Sequence, residues 1–224
     1  MNRDESKSKV LKVKPPADYP PEEGCYLRGN DFSPVAVVVL LNYAREQIPQ
    51  EIEQLIRVAI EKGAALAGTL QTENIGIEKI VTNIVANPNI RYLILCGTEV
   101  AGHYTGEALK SLLENGVDKR RTIVGSKAIT PYLFNIPLES IERFRKQLRL
   151  INLLNEMNPE VVEKAVWSCY QEELTKFKDY TLSDPGAYPE QAISSKITWR
   201  IKKPQEIEDW EIDDVLKKLE VRDA

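Results

Sequence analysis

The chain has 224 residues, 42% of them hydrophobic and 29% charged, with a formal net charge of −4 at pH 7. A chain of this length buries one good core with a small appendage, and its negative charge argues against nucleic acid or an acidic membrane surface as the main partner. Its three cysteines, Cys25, Cys96 and Cys169, are far apart, which predicts a reducing, cytoplasmic environment without disulfide bonds.

The first 34 residues are expected to lie outside the regular elements. Residues 1–14 are polar and rich in lysine, which predicts a disordered tail without a secretory signal. Prolines and turn formers in residues 15–34 predict an irregular arm that leads into the core. The longest apolar run, residues 35–41, is much shorter than the roughly 20 residues that span a bilayer, so we expect a soluble protein without a transmembrane segment.

Apolar runs then alternate with segments of helical periodicity. The run VAVVVLL at 35–41 predicts a strand that is buried on both faces. Apolar residues at helical spacing follow in 48–60, where Pro49 suits the first turn and Gly63 suits the end of a helix. Further strands are expected at 64–70, 91–96, 122–124 and 148–154, and further helices at 77–86, 105–113, 138–147 and 158–177.

This alternation, without hairpin signals between the runs, predicts an α/β fold. We expect a Rossmann-like, mostly parallel, doubly wound sheet with helices on both faces, formed by residues 15–180. Residues 181–224 contain the acidic segment EIEDWEIDD and are expected to form an extension that packs on the core or meets a partner. Within it, residues 196–201 suggest an edge strand and residues 215–219 the end of a short helix.

Ligands of open α/β sheets bind outside the carboxyl ends of the strands, which places candidate loops at 42–48, 71–76, 97–105 and 125–137. The only histidine of the chain, His103, lies in the third loop, within CGTEVAGHYTGEAL. The glycines at 97, 102 and 106 do not have the G-x-G-x-x-G spacing, and no phosphate-binding loop pattern occurs. A hydrolase elbow G-x-S-x-G is missing as well, so a nucleotide site or a serine hydrolase lacks its usual motif.

One histidine and three scattered cysteines do not supply a protein-only zinc site. A metal held in a macrocycle, by contrast, needs only one axial ligand from the protein. His103 precedes a predicted helix whose dipole disfavours the imidazolium form, and Gly102 and Gly106 are expected to let a flat ligand approach the backbone. Glu99 and Glu107 are candidates for orienting the second ring nitrogen. The alternative, a loop histidine that only stabilises its turn, stays open.

Several segments resemble one family, the corrinoid-carrying A subunit of the tetrahydromethanopterin S-methyltransferase of methane-forming archaea. The resemblance covers roughly residues 15–188, and its central block contains the elements TENIGIEK and GHYTGEAL. It extends over SPVAVVVL (33–40), LAGTLQTENIGIEKIVTNIVANPNIRYLILCGTEVAGHYTGEALKSLLENGVD (66–118), IVGSKAITPYL (123–133), ERFRKQLRLINLL (142–154) and DPGAY (184–188).

The resemblance implies a cobalamin or cobamide cofactor, such as 5-hydroxybenzimidazolylcobamide, on a Rossmann-like domain. It implies that His103 is the lower axial ligand of cobalt and displaces the cofactor's own base. It further implies a methyltransferase function in methanogenesis, in which a methyl group passes from a methylated pterin through cobalt to a thiol such as coenzyme M. Methyl-donor and methyl-acceptor proteins, or other methyltransferase subunits, are the implied partners. The C-terminal segment is acidic where the family has a membrane helix, which suggests a soluble relative.

Residues at the ends of the predicted strands are the candidate cofactor contacts. Helix capping by Glu73 and Asn74, and a purely structural loop at 126–131, are the alternatives at these positions. At the level of function, two alternatives remain: a non-catalytic binding or scaffold protein with the same fold, and an α/β enzyme for a nucleotide or a pterin. The candidate contacts are Thr72, Glu73, Asn74, Gly97, Thr98, Gly102, His103, Gly106, Ser126, Ala128, Thr130 and Pro131.

Overall fold

The computed structural model describes residues 11–42, 47–197 and 208–220 and contains a five-stranded sheet in the order β1-β3-β2-β4-β5. Strands β2 to β5 are parallel, and β1 is an antiparallel edge strand on β3. The mostly parallel α/β fold expected from the sequence is therefore confirmed. The strands are β1 (Tyr26–Arg28), β2 (Val35–Leu40), β3 (Leu66–Leu70), β4 (Tyr92–Gly97) and β5 (Arg149–Leu154).

Helices cover both faces of this sheet. Two of them, α1 and α5, pack together on one face, while α2, α3 and α4 pack on the other. A short hairpin of β6 (Thr175–Phe177) and β7 (Tyr180–Leu182) follows α5. The helices are α1 (Gln50–Glu61), α2 (Ile75–Val85), α3 (Thr105–Asn115), α4 (Leu138–Gln147), α5 (Pro159–Tyr170) and α6 (Asp209–Glu220).

The central strand β2 shows why the sequence forms this three-layer arrangement. Successive side chains of a strand point to opposite faces of the sheet. Val37 and Val39 therefore pack in the core beneath α1 and α5, whereas Ala36, Val38 and Leu40 pack in the core beneath α2, α3 and α4. A strand covered on both sides needs apolar residues at every position, which is the continuous run seen in the sequence.

The strand order creates a crevice beside β2. The chain passes from β2 through α1 to β3 on one side, and from β3 through α2 to β4 on the other side. The loops after the neighbouring strands β2 and β4 therefore lead to opposite faces of the sheet, which is the switch point where open α/β sheets bind ligands. His103 lies in the loop after β4.

Some segments differ from the sequence-based expectations. Residues 11–14 do not follow the prediction of a disordered tail, because Val13 exchanges two hydrogen bonds with the side chain of Asn89; residues 1–10 lie outside the described part of the chain. The helix expected to reach residue 177 ends at Tyr170. The hairpin that follows turns through Lys178 at a φ of 48°, without the Asn-Gly signal that marks such turns in sequences. In place of the strand expected at 122–124, Thr122 and Ile123 form only isolated bridges.

Parts of residues 181–224 that the structure describes contact the core. The guanidinium groups of Arg91 and Arg143 lie 5.3 and 4.1 Å from the ring centre of Tyr188, and α6 packs through Ile212 on Phe134. Residues 196 and 197 are not in a strand, and the rest of the expected edge strand, 198–201, lies outside the described residues. No helix in the described ranges has the length and apolar character needed to span a membrane.

Candidate functional site

The loop between β4 and α3 presents His103 at the carboxyl edge of the sheet. The backbone N–H groups of His103 and Tyr104 both donate to the carbonyl of Val100, which closes a tight turn. Gly102 and Tyr104 have positive φ values of 86° and 49°, so the chain reverses sharply on both sides of the histidine. As a result, 58% of the His103 side chain is exposed to solvent.

Glu73, from the loop after β3, is the partner of His103. Its Oε2 lies 3.3 Å from Nδ1 of the imidazole, and only 3% of its side chain is exposed. Its other oxygen accepts hydrogen bonds from the backbone N–H of Thr130, at 3.2 Å, and from the Thr130 hydroxyl, at 2.8 Å. A buried carboxylate with both oxygens engaged fixes the position of the imidazole ring. This arrangement corrects the expectation that Glu99 or Glu107 orients the histidine.

Glu99 instead caps α3. One of its carboxylate oxygens accepts from the N–H groups of Val100 and Gly106, at 2.9 and 3.0 Å, and the other accepts from the N–H of Glu107, at 2.8 Å. This helix end is where the phosphate of a nucleotide would bind in a Rossmann fold. Since a carboxylate of the chain occupies it, the nucleotide alternative loses support. The same carboxylate faces the positive end of the α3 dipole.

Glu107 ties the loop at 125–137 to α3. Its Oε2 accepts from the Ser126 hydroxyl at 3.3 Å and from the backbone N–H of Lys127 at 3.0 Å, and its Oε1 accepts from Ser111. Ser126 thus helps to hold the loop on α3, and its contact with a cofactor stays a prediction. The loop is held close to the histidine by Glu107 at one end and by Glu73 further along.

Thr72 and Asn74 perform the helix capping that was the alternative for this segment. The Thr72 hydroxyl accepts from the N–H of Gly76 at 2.9 Å, and the side-chain oxygen of Asn74 accepts from the N–H of Ile75 at 2.7 Å. The amide nitrogen of Asn74 also donates to the Thr130 hydroxyl at 3.2 Å. Capping therefore describes Thr72 and Asn74 but not Glu73, whose side chain points to His103 instead.

The glycines of the third loop have different surroundings. A side chain at Gly102 would meet no atom within 4 Å, so space beside the histidine is open. A Cβ at Gly106 would lie 2.6 Å from Leu40 and 2.7 Å from Leu154, and one at Gly97 would lie 2.7 Å from the backbone nitrogen of Leu40. At Gly106, α3 packs on the strand ends, and Gly97 is equally enclosed, so neither position has room for a side chain. That a ligand contacts the backbone at Gly106 stays a prediction.

The remaining candidates are divided between surface and interior. Thr98 is exposed, whereas Pro131 is buried and its carbonyl accepts from the N–H of Ile123. Ala128 packs partly buried against the core. Exposed apolar side chains, Tyr104 and Ile129, directly adjoin His103 and Thr130 in the sequence. The structure thus brings Glu73, Asn74, Thr130 and His103 into one hydrogen-bonded chain, while Pro131 and Gly97 belong to the scaffold.

Two of the three cysteines, Cys96 and Cys169, lie in the core. Cys96 and Cys169 are fully buried; burial raises the pKa of the Cys96 thiol to about 12 and also raises the pKa of the Cys169 thiol. Cys25 is half-buried. Among the residues that the structure describes, no group of three or more His, Cys, Asp or Glu side chains is arranged to hold a metal ion.

Comparisons with known proteins identify related chains. A family model for the A subunit of tetrahydromethanopterin S-methyltransferase matches residues 12–203. The A1 subunit of this enzyme from Methanothermobacter marburgensis is 41% identical over 189 residues, which cover 84% of this chain and 70% of the relative. The A2 subunit from Methanobrevibacter ruminantium is 40% identical over 186 residues, which cover 82% of this chain and 85% of the relative.

Proposed function

The chain belongs to the family of the tetrahydromethanopterin S-methyltransferase A subunits, and we propose that it is a corrinoid-binding methyl carrier with His103 as the lower axial ligand of cobalt. The observation that supports this most strongly is the imidazole of His103. It is more than half exposed at the ligand-binding edge of the sheet, while its Nδ1 atom is tied to a buried carboxylate.

The set of donor atoms fits a metal that arrives in a macrocycle. A metal held by protein side chains alone needs about three or four ligands, and the described residues offer no such group. A macrocycle occupies the equatorial positions and leaves an axial position for a single imidazole. The open space beside Gly102 lies next to this imidazole, where a broad, flat ligand needs room.

The contact with Glu73 determines which ring nitrogen of His103 is available. With the proton on Nδ1, the imidazole donates a hydrogen bond to the Glu73 carboxylate and the lone pair of Nε2 is free for a metal. Thr130 then fixes the Glu73 carboxylate through two hydrogen bonds. Partners of this kind orient a metal-bound histidine and raise its basicity as a ligand.

A cobamide bound here would supply a cobalt centre that can accept and donate a methyl group. The residues of this chain would hold and orient it through His103, while the exposed side chains of Tyr104 and Ile129 would border the site. We propose a methylated pterin, methyl-tetrahydromethanopterin, as the methyl donor and a thiol such as coenzyme M as the acceptor. Other subunits of the methyltransferase, or separate donor and acceptor proteins, are the proposed partners.

Electron paramagnetic resonance tests the axial ligand directly. The chain is reconstituted with hydroxocobalamin and reduced to the cobalt(II) form, once with natural histidine and once with histidine labelled with nitrogen-15. If His103 is the ligand, the label changes the superhyperfine splitting, and His103→Ala abolishes the effect. The proposal is wrong if cobalamin binds and the spectrum is the same with and without the label. A scaffold protein that has lost the cofactor would retain no corrinoid in this experiment.

A further inference from the structure

The last helix, α6, packs on the loop that leads to the histidine. Ile212 and Val215 of α6 are buried against Phe134, in an apolar cluster separate from the cores on the two faces of the sheet. Phe134 is only 2% exposed, although neither main core includes it. Among the residues that the structure describes, the other buried members of its cluster both come from α6. The burial of Phe134 therefore depends on the docking of this helix.

The side chains of residues 132–134 alternate between two environments. Leu133 is fully buried in the core beneath α2, α3 and α4, whereas Tyr132 and Phe134 belong to the cluster with α6. The rings of Tyr132 and Phe134 form a stacked pair, with 5.3 Å between their centres and 8° between their planes. Successive side chains of an extended segment point to opposite sides. The core thus holds one side of this segment, and α6 holds the other.

The same segment carries the residue that fixes Glu73. Thr130, two residues before Tyr132, donates to Oε1 of Glu73 from its backbone N–H at 3.2 Å and from its hydroxyl at 2.8 Å. Oε2 of Glu73 lies 3.3 Å from Nδ1 of His103. A short series of contacts therefore leads from α6 through Tyr132, Thr130 and Glu73 to the imidazole.

We propose that α6 is a brace for the imidazole: by covering the stacked pair of rings, it fixes the segment that places Thr130 and so determines how firmly His103 is oriented. Ile212 and Val215 are then positioning residues that act on the histidine only through this segment. The family model matches residues 12–203, so the brace joins a helix outside the matched range to a site inside it. The effect of the brace on corrinoid binding rests on the proposed function, whereas its effect on the imidazole does not.

Two matched double variants either undock α6 or leave it in place. Ile212→Glu with Val215→Lys puts two charged side chains at buried positions, which is strongly unfavourable, so α6 should leave the stacked pair. Asp213→Lys with Lys217→Glu is the control, since it introduces the same residue types at exposed positions of the same helix. Both double variants keep the net charge of the chain. Ile212→Leu retains the apolar contact and should behave like the wild type.

The main readouts need no cofactor. His103 is the only histidine of the chain, so nitrogen-15 labelling of histidine reports on this ring alone. With Nδ1–H donating to Glu73 in the wild type, the undocked variant should shift toward the Nε2–H form at mildly alkaline pH, and its Nδ1 signal should move toward that of an unprotonated nitrogen.

Hydrogen exchange and cofactor release give two further measurements. Exchange of residues 130–135 should accelerate by about tenfold in the undocked variant, while exchange in α5 should stay unchanged. Leu133 still holds the segment from the core side, so the segment loosens but does not detach. Cobalamin should therefore dissociate only about threefold faster, which is less than the cost of removing an outer partner of the histidine outright.

Several outcomes would overturn the brace. If exchange in α6 accelerates but the ring signals match those of the wild type, α6 anchors only its own part of the chain. Unchanged exchange throughout α6 would show that Ile212 and Val215 do not hold the helix, which removes the contact on which the brace depends. Faster release of cobalamin with unchanged ring signals would mean that α6 acts without His103. An equal shift of the ring signals in the control would assign the effect to surface charge.

The brace and the proposed function can fail separately. If neither the wild type nor any variant binds a corrinoid, the proposed function is wrong. The ring signals of His103 then still decide on the brace, because a shift confined to the undocked variant supports it and the absence of such a shift refutes it.

Discussion

Glu73 Oε2 lies 3.3 Å from His103 Nδ1, although the two residues follow strands that are not neighbours. β2 lies between β3 and β4, so this contact spans the carboxyl end of the central strand. Thr130 adds the loop before α4 to the same chain of hydrogen bonds. The orientation of the imidazole therefore depends on three loops that meet only in the folded protein.

Replacing Glu73 by Gln should weaken corrinoid binding by about 10- to 100-fold, which is the usual cost of removing an outer partner of a metal-bound histidine. The amide has the size of the carboxylate but offers no charge to the Nδ1–H group. A spectroscopic titration with cobalamin measures the effect. Glu107→Gln is the matched control, since Glu107 holds the loop at 125–137 but does not contact His103. An equal loss in both variants would mean that Glu73 acts only by anchoring the loop.

The fold could be predicted from the sequence because its signals are local. The unbroken apolar run of β2 and the helical spacing of α1 each describe one element and its burial. The hairpin after α5 was missed because Lys178 occupies a left-handed turn position that usually carries glycine or asparagine. The antiparallel edge strand β1 was missed as well, since it has only three residues and lies within the proline-rich arm.

The site was predictable only in part, because local sequence signals reveal His103 but not the distant residue that contacts it. His103 could be found because it is the only histidine and lies at a strand end. Its partner could not, because Glu73 is 30 residues away and the contact depends on the strand order. Glu99 and Glu107 are nearer in the sequence, but the unsatisfied N–H groups of α3 and the loop at 125–137 engage them instead.

Alanine at Gly102 and alanine at Gly106 should both lower stability, but for different reasons and with different effects on ligand binding. Gly106→Ala places a Cβ against Leu40 and Leu154 and should lower the free energy of unfolding by about 1–3 kcal/mol. Gly102→Ala meets no atom within 4 Å but holds alanine at a φ of 86°, which costs about 1–2 kcal/mol. Because its methyl group enters the open space, Gly102→Ala should also weaken corrinoid binding more than Gly106→Ala does. Urea unfolding and cobalamin titration measure the two effects; the reverse order of affinities would contradict this assignment.

Glu99→Ala should destabilise the protein by about 1–2 kcal/mol, because the carboxylate caps the first turn of α3. The backbone N–H groups of Gly106 and Glu107 lose their acceptor, so their hydrogen exchange should accelerate, while exchange in α5 should follow only the global change. Hydrogen-exchange mass spectrometry of the folded protein measures this difference. Uniform acceleration across both helices would mean that Glu99 has no special role at this helix end.

Thr130→Val should make the orientation of the His103 ring less well defined, while a side chain of the same shape remains at position 130. Valine keeps the shape of threonine and leaves the backbone N–H bond to Glu73 in place, but it removes the 2.8 Å hydroxyl bond to the carboxylate and the acceptor for Asn74. One of the two bonds that fix Glu73 is then lost, so we expect cobalamin to dissociate about tenfold faster. Stopped-flow displacement by a second corrinoid measures the dissociation rate.

Thr130→Ser is the control that separates the hydroxyl from the methyl group. Serine retains the donor to Glu73, so its dissociation rate should stay close to that of the wild type, and nitrogen chemical shifts of the His103 ring should be unchanged. In Thr130→Val the same shifts should move, because the Glu73 carboxylate that accepts from Nδ1 is less firmly placed. A valine variant with wild-type ring shifts and a faster dissociation rate would show that Thr130 contacts the ligand itself and does not act through Glu73.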